Sequence, residues 1–345
     1  MPSKSKKIYH KIRRILPEDY NAHLSKIVFA AKGKPYARKD NVDLSKKFPG
    51  KEKGGVIITA DFELGWAVRY SKTGVDPIAY AAQERHNVPV ILNYLDEYMI
   101  PITWATVGHL FLKECKKGDH DWMRRIPYFD DHWKYTEGDW FDCDPYTYWE
   151  ENSAWYAPDL IEKILNAKCK QEIGCHSFSH IHCSDKICPP EVIDDELKAC
   201  SDAAKNWNLK LESIAFPGGT AGNFEILKKH GYKIYRKKYS GFELAYPFKD
   251  KFGMLITVTG PLISYNYSSW SLEYNIKRYK KYIDKAIETN SVVHLWFHPA
   301  QDKNVFTDIL PMILKYASEQ REKGNLWVGT MRDIADHIIQ NKVLD

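Results

Sequence analysis

From Gly55 onward, short apolar runs alternate with amphipathic stretches, and that alternation limits the possible folds more than any other feature. "VIITA" (56–60), "ITWATVG" (102–108), "EIGCHS" (172–177), "SIAFPGG" (213–219), "LITVTG" (255–260), "SVVHLWFHP" (291–299) and "NLWVG" (325–329) read as strands and their exits. Between them, "AAQERHNVPVILNYLDEY", "PDLIEKILNAK", "PEVIDDELKACSDAAKNW" and "FEILKKHGY" carry helical periodicity, and "TMRDIADHIIQ" follows the last strand. Pro158 suits a first helical turn, and Gly231 suits a helix end. Strands alternating with helices imply a parallel sheet with crossover connections. At least six strands over about 290 residues suit an α/β domain whose sheet is closed or nearly closed into a (β/α) barrel. No glycine-rich phosphate loop follows any strand, which argues against nucleotide binding.

Residues 1–50 break the pattern. They are rich in Lys and Arg and read as a basic N-terminal extension before a domain at 51–345. The stretch "MPSKSKKIYHKIRRIL" is basic without a following apolar core, so it does not read as a cleaved signal. It offers peripheral contact with an anionic membrane surface, against the plainer reading of a solvated arm. The chain has no apolar run long enough to span a bilayer. Seven cysteines without a Cys-x-x-Cys pair fit a reducing, cytoplasmic setting better than a disulfide framework. A net charge of +5 over 345 residues carries no nucleic-acid footprint.

The segment 116–156 is long, polar and aromatic, with Trp122, Trp133, Trp140, Tyr146 and Trp149. Its density of rings argues for an ordered insertion. We expect part of it to cover an active site.

Chemistry-bearing residues gather at strand ends. Asp61 and Glu63 follow "VIITA", His176 and His180 follow "EIGC", Gly218 and Gly219 end "SIAFPGG", and His298 ends "VVHLWFHP". In a parallel barrel those ends share one face, where active sites are built. His176 and His180 stand four apart, a spacing that puts both rings on one side if the segment is helical, as metal ligands require. Each residue also has a plainer reading. Asp61 and Glu63 could cap a helix, His298 could be a satisfied loop histidine, and His176, His180 and His182 could be solvated.

At these residues the sequence resembles the polysaccharide deacetylases, carbohydrate esterase family four, over roughly residues 54–337. "HSFSH" (176–180) matches the family's His-Ser/Thr-x-x-His motif in full. "TADFE" (59–63) stands for Thr-Phe-Asp-Asp-Gly, "AFPGG" (215–219) for Arg-x-Pro-Tyr-Gly, and "VVHLWFHP" for the apolar strand that ends in His. The resemblance implies a deformed (β/α) barrel and metal-dependent removal of an N-acetyl or similar acyl group from a sugar or glycan, in surface polysaccharide metabolism. It implies Glu63, His176 and His180 as ligands of a divalent metal, zinc being the best fit to the donor types. It implies Asp61 as general base, His298 as general acid and the Gly218 N–H as oxyanion donor. Two departures stand out. Ala215 occupies the position of the motif arginine, with Arg236 or Arg69 as candidates to replace it, and the family's Asp/Trp region is not recognisable. Hydrolysis of another C–N bond on the same scaffold, in a formamido sugar or a cyclic amide, and a silent carbohydrate-binding role are the competing readings.

Overall fold

The computed structural model describes residues 16–31, 35–70, 74–127, 139–239 and 241–344. Its strands are β1 (Gly54–Phe62), β2 (Thr103–Thr106), β3 (Glu172–Cys175), β4 (Ser213–Ala215), β5 (Ile234–Lys237), β6 (Phe248–Lys249), β7 (Leu255–Val258), β8 (Val292–Phe297) and β9 (Leu326–Val328). Its helices are α1 (Glu18–Ala31), α2 (Pro77–Tyr98), α3 (Pro158–Leu165), α4 (Pro190–Lys205), α5 (Phe224–Lys229), α6 (Leu272–Glu288), α7 (Leu310–Glu322) and α8 (Met331–Gln340). The strands form one sheet in the order β6-β7-β5-β4-β3-β2-β1-β8, with β9 also on β1. All pairs are parallel except the short β6–β7 pair. The sheet curls until its ends meet. After β7, Leu262 bridges Trp296 of β8, and the Gly260 N–H donates to the His294 carbonyl. This is the deformed (β/α) barrel that the alternation implies.

Helix starts follow local chemistry. Asp76 caps α2 by accepting from the N–H groups of Ile78 and Ala79, at 3.0 and 3.3 Å. Thr330 and Asp333 cap α8 reciprocally, as a capping box. Five elements escape the reading of the sequence: α1, β5, β6, α6 and α7. β5 is interrupted by Arg236, and α6, "LEYNIKRYKKYIDKAIE", carries charges around an apolar stripe of Tyr279, Ile283 and Ala286.

The barrel interior is layered because side chains alternate along a strand. At the bottom, Ile57, Ile234, Leu255 and Val292 form an apolar cluster with Phe48, Tyr246, Trp327 and Met331. Two residues along each strand come Thr59, Arg236, Thr257 and His294, all buried. Two further along β1 and β8 are Asp61 and Trp296, then Glu63 and His298 just past the strand ends. The larger apolar cluster, with Val56, Ile58, Ala60 and Phe62, fills the space between the outer sheet face and the helices.

The described residues of the N-terminal extension, 16–31 and 35–50, pack against the domain at 51–345. They lie along the barrel and close its bottom. Phe48 is 3% exposed and packs edge-on to Tyr246 and stacked on Trp327. The Tyr246 hydroxyl donates to the Lys47 carbonyl at 2.6 Å, and the Lys47 ammonium reaches Asp40 and the Asn290 carbonyl, each at 2.7 Å. Further back, the Trp270 indole donates to the Ala22 carbonyl on α1. The basic charge of this segment disguised Phe48, an aromatic ring that the barrel needs as a plug. The membrane contact expected of "MPSKSKKIYHKIRRIL" falls on residues 1–15, outside the described residues. No described helix is long and apolar enough to cross a membrane.

Phe48→Ala is expected to lower the unfolding free energy by about 3–5 kcal/mol, the cost of emptying a buried aromatic site. Tyr20→Ala, at a residue 69% exposed, should change it by less than about 0.5 kcal/mol. Urea denaturation of the two variants beside the parent chain measures the contrast, and equal values would show that the segment does not plug the barrel.

Candidate metal centre and active site

Asp61 and Glu63 leave β1 on its interior side. The chain turns sharply after them, with Leu64 at φ 49°. A buried carboxylate holds that turn: Glu84 of α2 accepts from the N–H groups of Glu63 at 3.0 Å and Leu64 at 2.8 Å. Burial, and then the charge of Glu63, pushes the Glu84 carboxyl well above its ordinary range.

The loop after β3 is built the same way. The expectation of a helical 176–180 pair fails here, because these residues form an irregular loop with Ser177 at φ 56° and His180 at φ 58°. Those left-handed conformations, and not helical periodicity, bring the two rings together, with centroids 5.0 Å apart. Glu196 of α4, fully buried, fastens the loop by accepting from the N–H groups of Phe178 and Ser179, at 2.7 and 2.9 Å, and from the Ser179 hydroxyl. Arg69 and the Trp140 indole both donate to the Ser179 carbonyl, at 2.6 and 3.1 Å. Arg69 lies over the Trp140 ring, and so serves the loop and not the motif position at Ala215.

The two loops meet at Glu63. Its Oε1 lies 2.8 Å from Nε2 of His176 and 2.8 Å from Nε2 of His180, and all three residues are buried. Burial pushes the Glu63 carboxyl up, but His180 and the contacts from both rings override it and hold the carboxyl well below its ordinary range. The His176 Nδ1 lies 2.7 Å from the Ala215 carbonyl. A carbonyl can only accept, so that Nδ1 carries the proton, and in a neutral ring the Nε2 that faces Glu63 is then a lone pair. An imidazole lone pair and a carboxylate oxygen at 2.8 Å repel unless a cation lies between them or one of them takes up a proton. Two imidazole nitrogens and a carboxylate oxygen are the donors of an open zinc-type site, and the buried acceptor pair fits such an ion. His182 and Cys183 do not belong to this group.

Asp61 stands beside the centre with a partner of its own. Arg236 grips it with two parallel contacts, 2.8 Å to Oδ1 and 2.5 Å to Oδ2, and also reaches the Thr59 hydroxyl. Arg236 on β5 is the register partner of Ala215 on β4. The arginine expected at position 215 has therefore moved one strand sideways at the same height in the barrel. Beneath the pair, His294 bonds the hydroxyls of Thr257 and Thr59, at 2.8 and 3.1 Å. Burial and then Arg236 push the His294 pKa well below its ordinary value, so this ring is a neutral core residue, as expected from its depth.

His298, just past β8, is half-buried, and its ring packs edge-on against Trp296. Its donor nitrogen and the carboxylates of Asp61 and Glu63 lie within 4.8 Å of one another. Gly218, at φ 57°, sits in the Pro217–Gly219 turn that follows Ala215. Tyr80, from α2, points its hydroxyl at Glu63 Oε2 from 3.4 Å, and burial raises its pKa.

The expected residues Asp61, Glu63, His176, His180 and His298 thus converge at one end of the barrel. Glu84, Glu196 and Tyr80 were not anticipated. A signal for two of them existed: each glutamate interrupts the apolar stripe of its helix, Glu84 between Ala81 and Val88, Glu196 between Val192 and Cys200. Within the insertion, Trp140 is buried against this site, Tyr146 and Trp149 are partly buried, and Trp122 is 48% exposed beneath Lys198. Trp133 lies outside the described residues.

Removing the guanidinium should strand a buried carboxylate. Arg236→Met is expected to destabilise the chain by about 3–5 kcal/mol. The double variant Asp61→Asn/Arg236→Met should recover much of that loss, because it removes both charges. Thermal melts of the two single variants and the double variant test this coupling; additive losses would deny it.

Comparison with known proteins fits this geometry. The family model described as "Polysaccharide deacetylase" matches residues 78–235, a stretch that contains His176, His180 and Gly218. Asp61, Glu63, Arg236 and His298 lie outside that stretch and join it through tertiary contact. A protein from Pseudomonas aeruginosa PAO1 described as a probable polysaccharide deacetylase superposes with a TM-score of 0.58 at 12% identity, covering 88% of this chain and 99% of that one. Puue allantoinase superposes with a TM-score of 0.56 at 12% identity, covering 88% and 98%. At such identities these two likenesses establish the fold alone. No curated protein matches the sequence. Residues 78–235 of the chain thus resemble the polysaccharide deacetylase family, and the deformed barrel is the fold they share with these structures.

Proposed function

We propose that this protein is a metal-dependent hydrolase that removes an N-acetyl or similar acyl group from a sugar or glycan. The observation that carries the reading is the buried Glu63–His176–His180 set, with Asp61 and His298 placed beside it. Those three donors would hold a divalent ion, zinc suiting imidazole and carboxylate best. Such an ion, when bound, polarises a carbonyl and lowers the pKa of water.

The remaining roles belong to the chain. Asp61 accepts the proton of the attacking water at a carboxylate oxygen. Arg236 fixes the orientation of that carboxylate through both oxygens. Each oxygen retains a second lone pair for the proton. His298 hands a proton to the departing amine, and its half exposure leaves room for a substrate. The Gly218 N–H, in the turn beside Ala215, donates to the developing oxyanion. Trp140 pins the His180 loop through the Ser179 carbonyl.

A different C–N bond is the second reading, because the same barrel occurs in Puue allantoinase. N-acetylated and N-formylated sugars and a cyclic amide, offered side by side, separate the two.

Metal content distinguishes the roles. His176→Ala and His180→Ala should lose bound metal and activity together. Asp61→Asn should keep the metal while kcat falls by about 10²–10⁴-fold, the range of a lost proton acceptor. The assignment is overturned if Asp61→Asn strips the ion and Glu63→Gln does not. His298→Ala should likewise keep the metal with a fall in kcat of similar size. Loss of the ion in that variant would make His298 a ligand instead.

A further inference from the structure

Behind the His176–His180 loop lies a second group of ligand-type side chains. His109 sits in the turn after β2. Cys115 and His120 open the long insertion, and Asp144 lies near its far end. All four are buried, and one donor atom from each falls within 4.8 Å of every other. The Cys115 sulfur is 3.0 Å from His120 Nε2. The Asp144 Oδ2 is 3.0 Å from His109 Nε2 and 3.7 Å from His120 Nε2. A tetrahedral zinc site with ordinary bond lengths spaces its nitrogen, oxygen and sulfur donors about 3.3–3.6 Å apart, so the group needs little movement to close on an ion.

Proton accounting points the same way. His109 Nδ1 lies 3.2 Å from the Trp155 carbonyl, which can only accept, so that nitrogen carries the proton. Its Nε2 then meets the carboxylate of Asp144. Both bonds can form without a cation only if the ring is charged or Asp144 is protonated. Burial opposes that charge. An ion removes the conflict, because a neutral ring with Nδ1 protonated presents its Nε2 lone pair to metal. The outer partners are those of a ligand set. The Trp155 carbonyl fixes the His109 tautomer, and the Tyr156 hydroxyl and the Tyr146 N–H donate to Asp144 Oδ1, at 2.6 and 3.1 Å. Oδ2 is left to face the centre.

We propose that His109, Cys115, His120 and Asp144 bind a structural zinc ion that staples both ends of the aromatic insertion to the barrel. Four protein ligands leave no open position, as in closed structural sites. The staple also backs the proposed catalytic loop. Phe178, between His176 and His180, packs edge-on against both His109 and His120, with centroids at 5.5 and 5.2 Å. The His109 N–H donates to the Phe178 carbonyl at 2.9 Å. Trp66, just beyond Glu63, packs on the other side of His109 with centroids at 4.5 Å.

Cobalt reads this site separately from the Glu63 centre, which has no sulfur. Metal-free full-length protein titrated with Co²⁺ should bind two equivalents and show a thiolate-to-cobalt charge-transfer band in the near ultraviolet. Cys115→His, which keeps four ligands, should still bind two equivalents but lose the band. Cys115→Ser should lose the band and one equivalent. The double variant His176→Ala/His180→Ala should keep the band with one equivalent. A wild-type chain with one equivalent and the band would sink the catalytic centre and leave the staple standing. A wild-type chain without the band overturns the staple, as does a Cys115→His variant that keeps it.

Discussion

The Glu63 carboxylate, buried at the mouth of a barrel, is the constraint around which this end of the molecule is built. A charge taken out of water must be compensated where it stands. His176 and His180 are the side chains that face it there, and their positions depend on two strained loops. Leu64, Ser177 and His180 all adopt positive φ, a conformation that costs a non-glycine residue of order 1–3 kcal/mol. Glu84 and Glu196 hold these loops by accepting backbone N–H groups that the loops cannot pair internally. Burial raises the pKa of both glutamates, so each strained loop rests on a carboxyl that itself resists being charged. The centre, its loops and their anchors therefore form one coupled unit.

Below that unit the barrel grades from apolar to polar over a few residues of each strand. Phe48 and Trp327 seal the bottom, while Thr59, Arg236, Thr257 and His294 fill the middle. The middle layer gives Asp61 its guanidinium and keeps His294 neutral through burial and the nearby positive charge. It also explains how an alanine can stand where the family motif has arginine. What the carboxylate requires is a guanidinium at that height in the barrel, and the neighbouring strand delivers it in register. Sequence motifs record positions along a chain, whereas the barrel interior is shared by all its strands.

The insertion between β2 and α3 is tied to the same machinery from behind. Trp140 reaches the Ser179 carbonyl, and His109 reaches the Phe178 carbonyl, so two separate parts of the chain grip the loop that carries His176 and His180. A zinc staple at the root of the insertion would stiffen that grip with no contact to substrate.

Several features were legible because they depend on local order. Apolar runs at regular intervals announced the parallel barrel, and "HSFSH" after a buried strand singled out two histidines that the fold brings onto Glu63. Asp61, Glu63 and His298 could be placed at one end of the barrel because strand ends share a face. Other features were hidden because they depend on partners far along the chain. The helical reading of His176 and His180 failed because Glu196 stabilises an irregular loop that periodicity cannot encode. Arg236 could be named as a candidate, but the choice over Arg69 required the β4–β5 register. Phe48 looked like part of a basic arm until the open bottom of the barrel gave it a pocket. The sequence by itself determined the class of fold and most of the residues that gather at its mouth, since both follow from short-range pattern. The tertiary structure decided which carboxylate meets the histidines, which arginine holds Asp61 and what closes the barrel, since each rests on contacts between segments that only folding brings together.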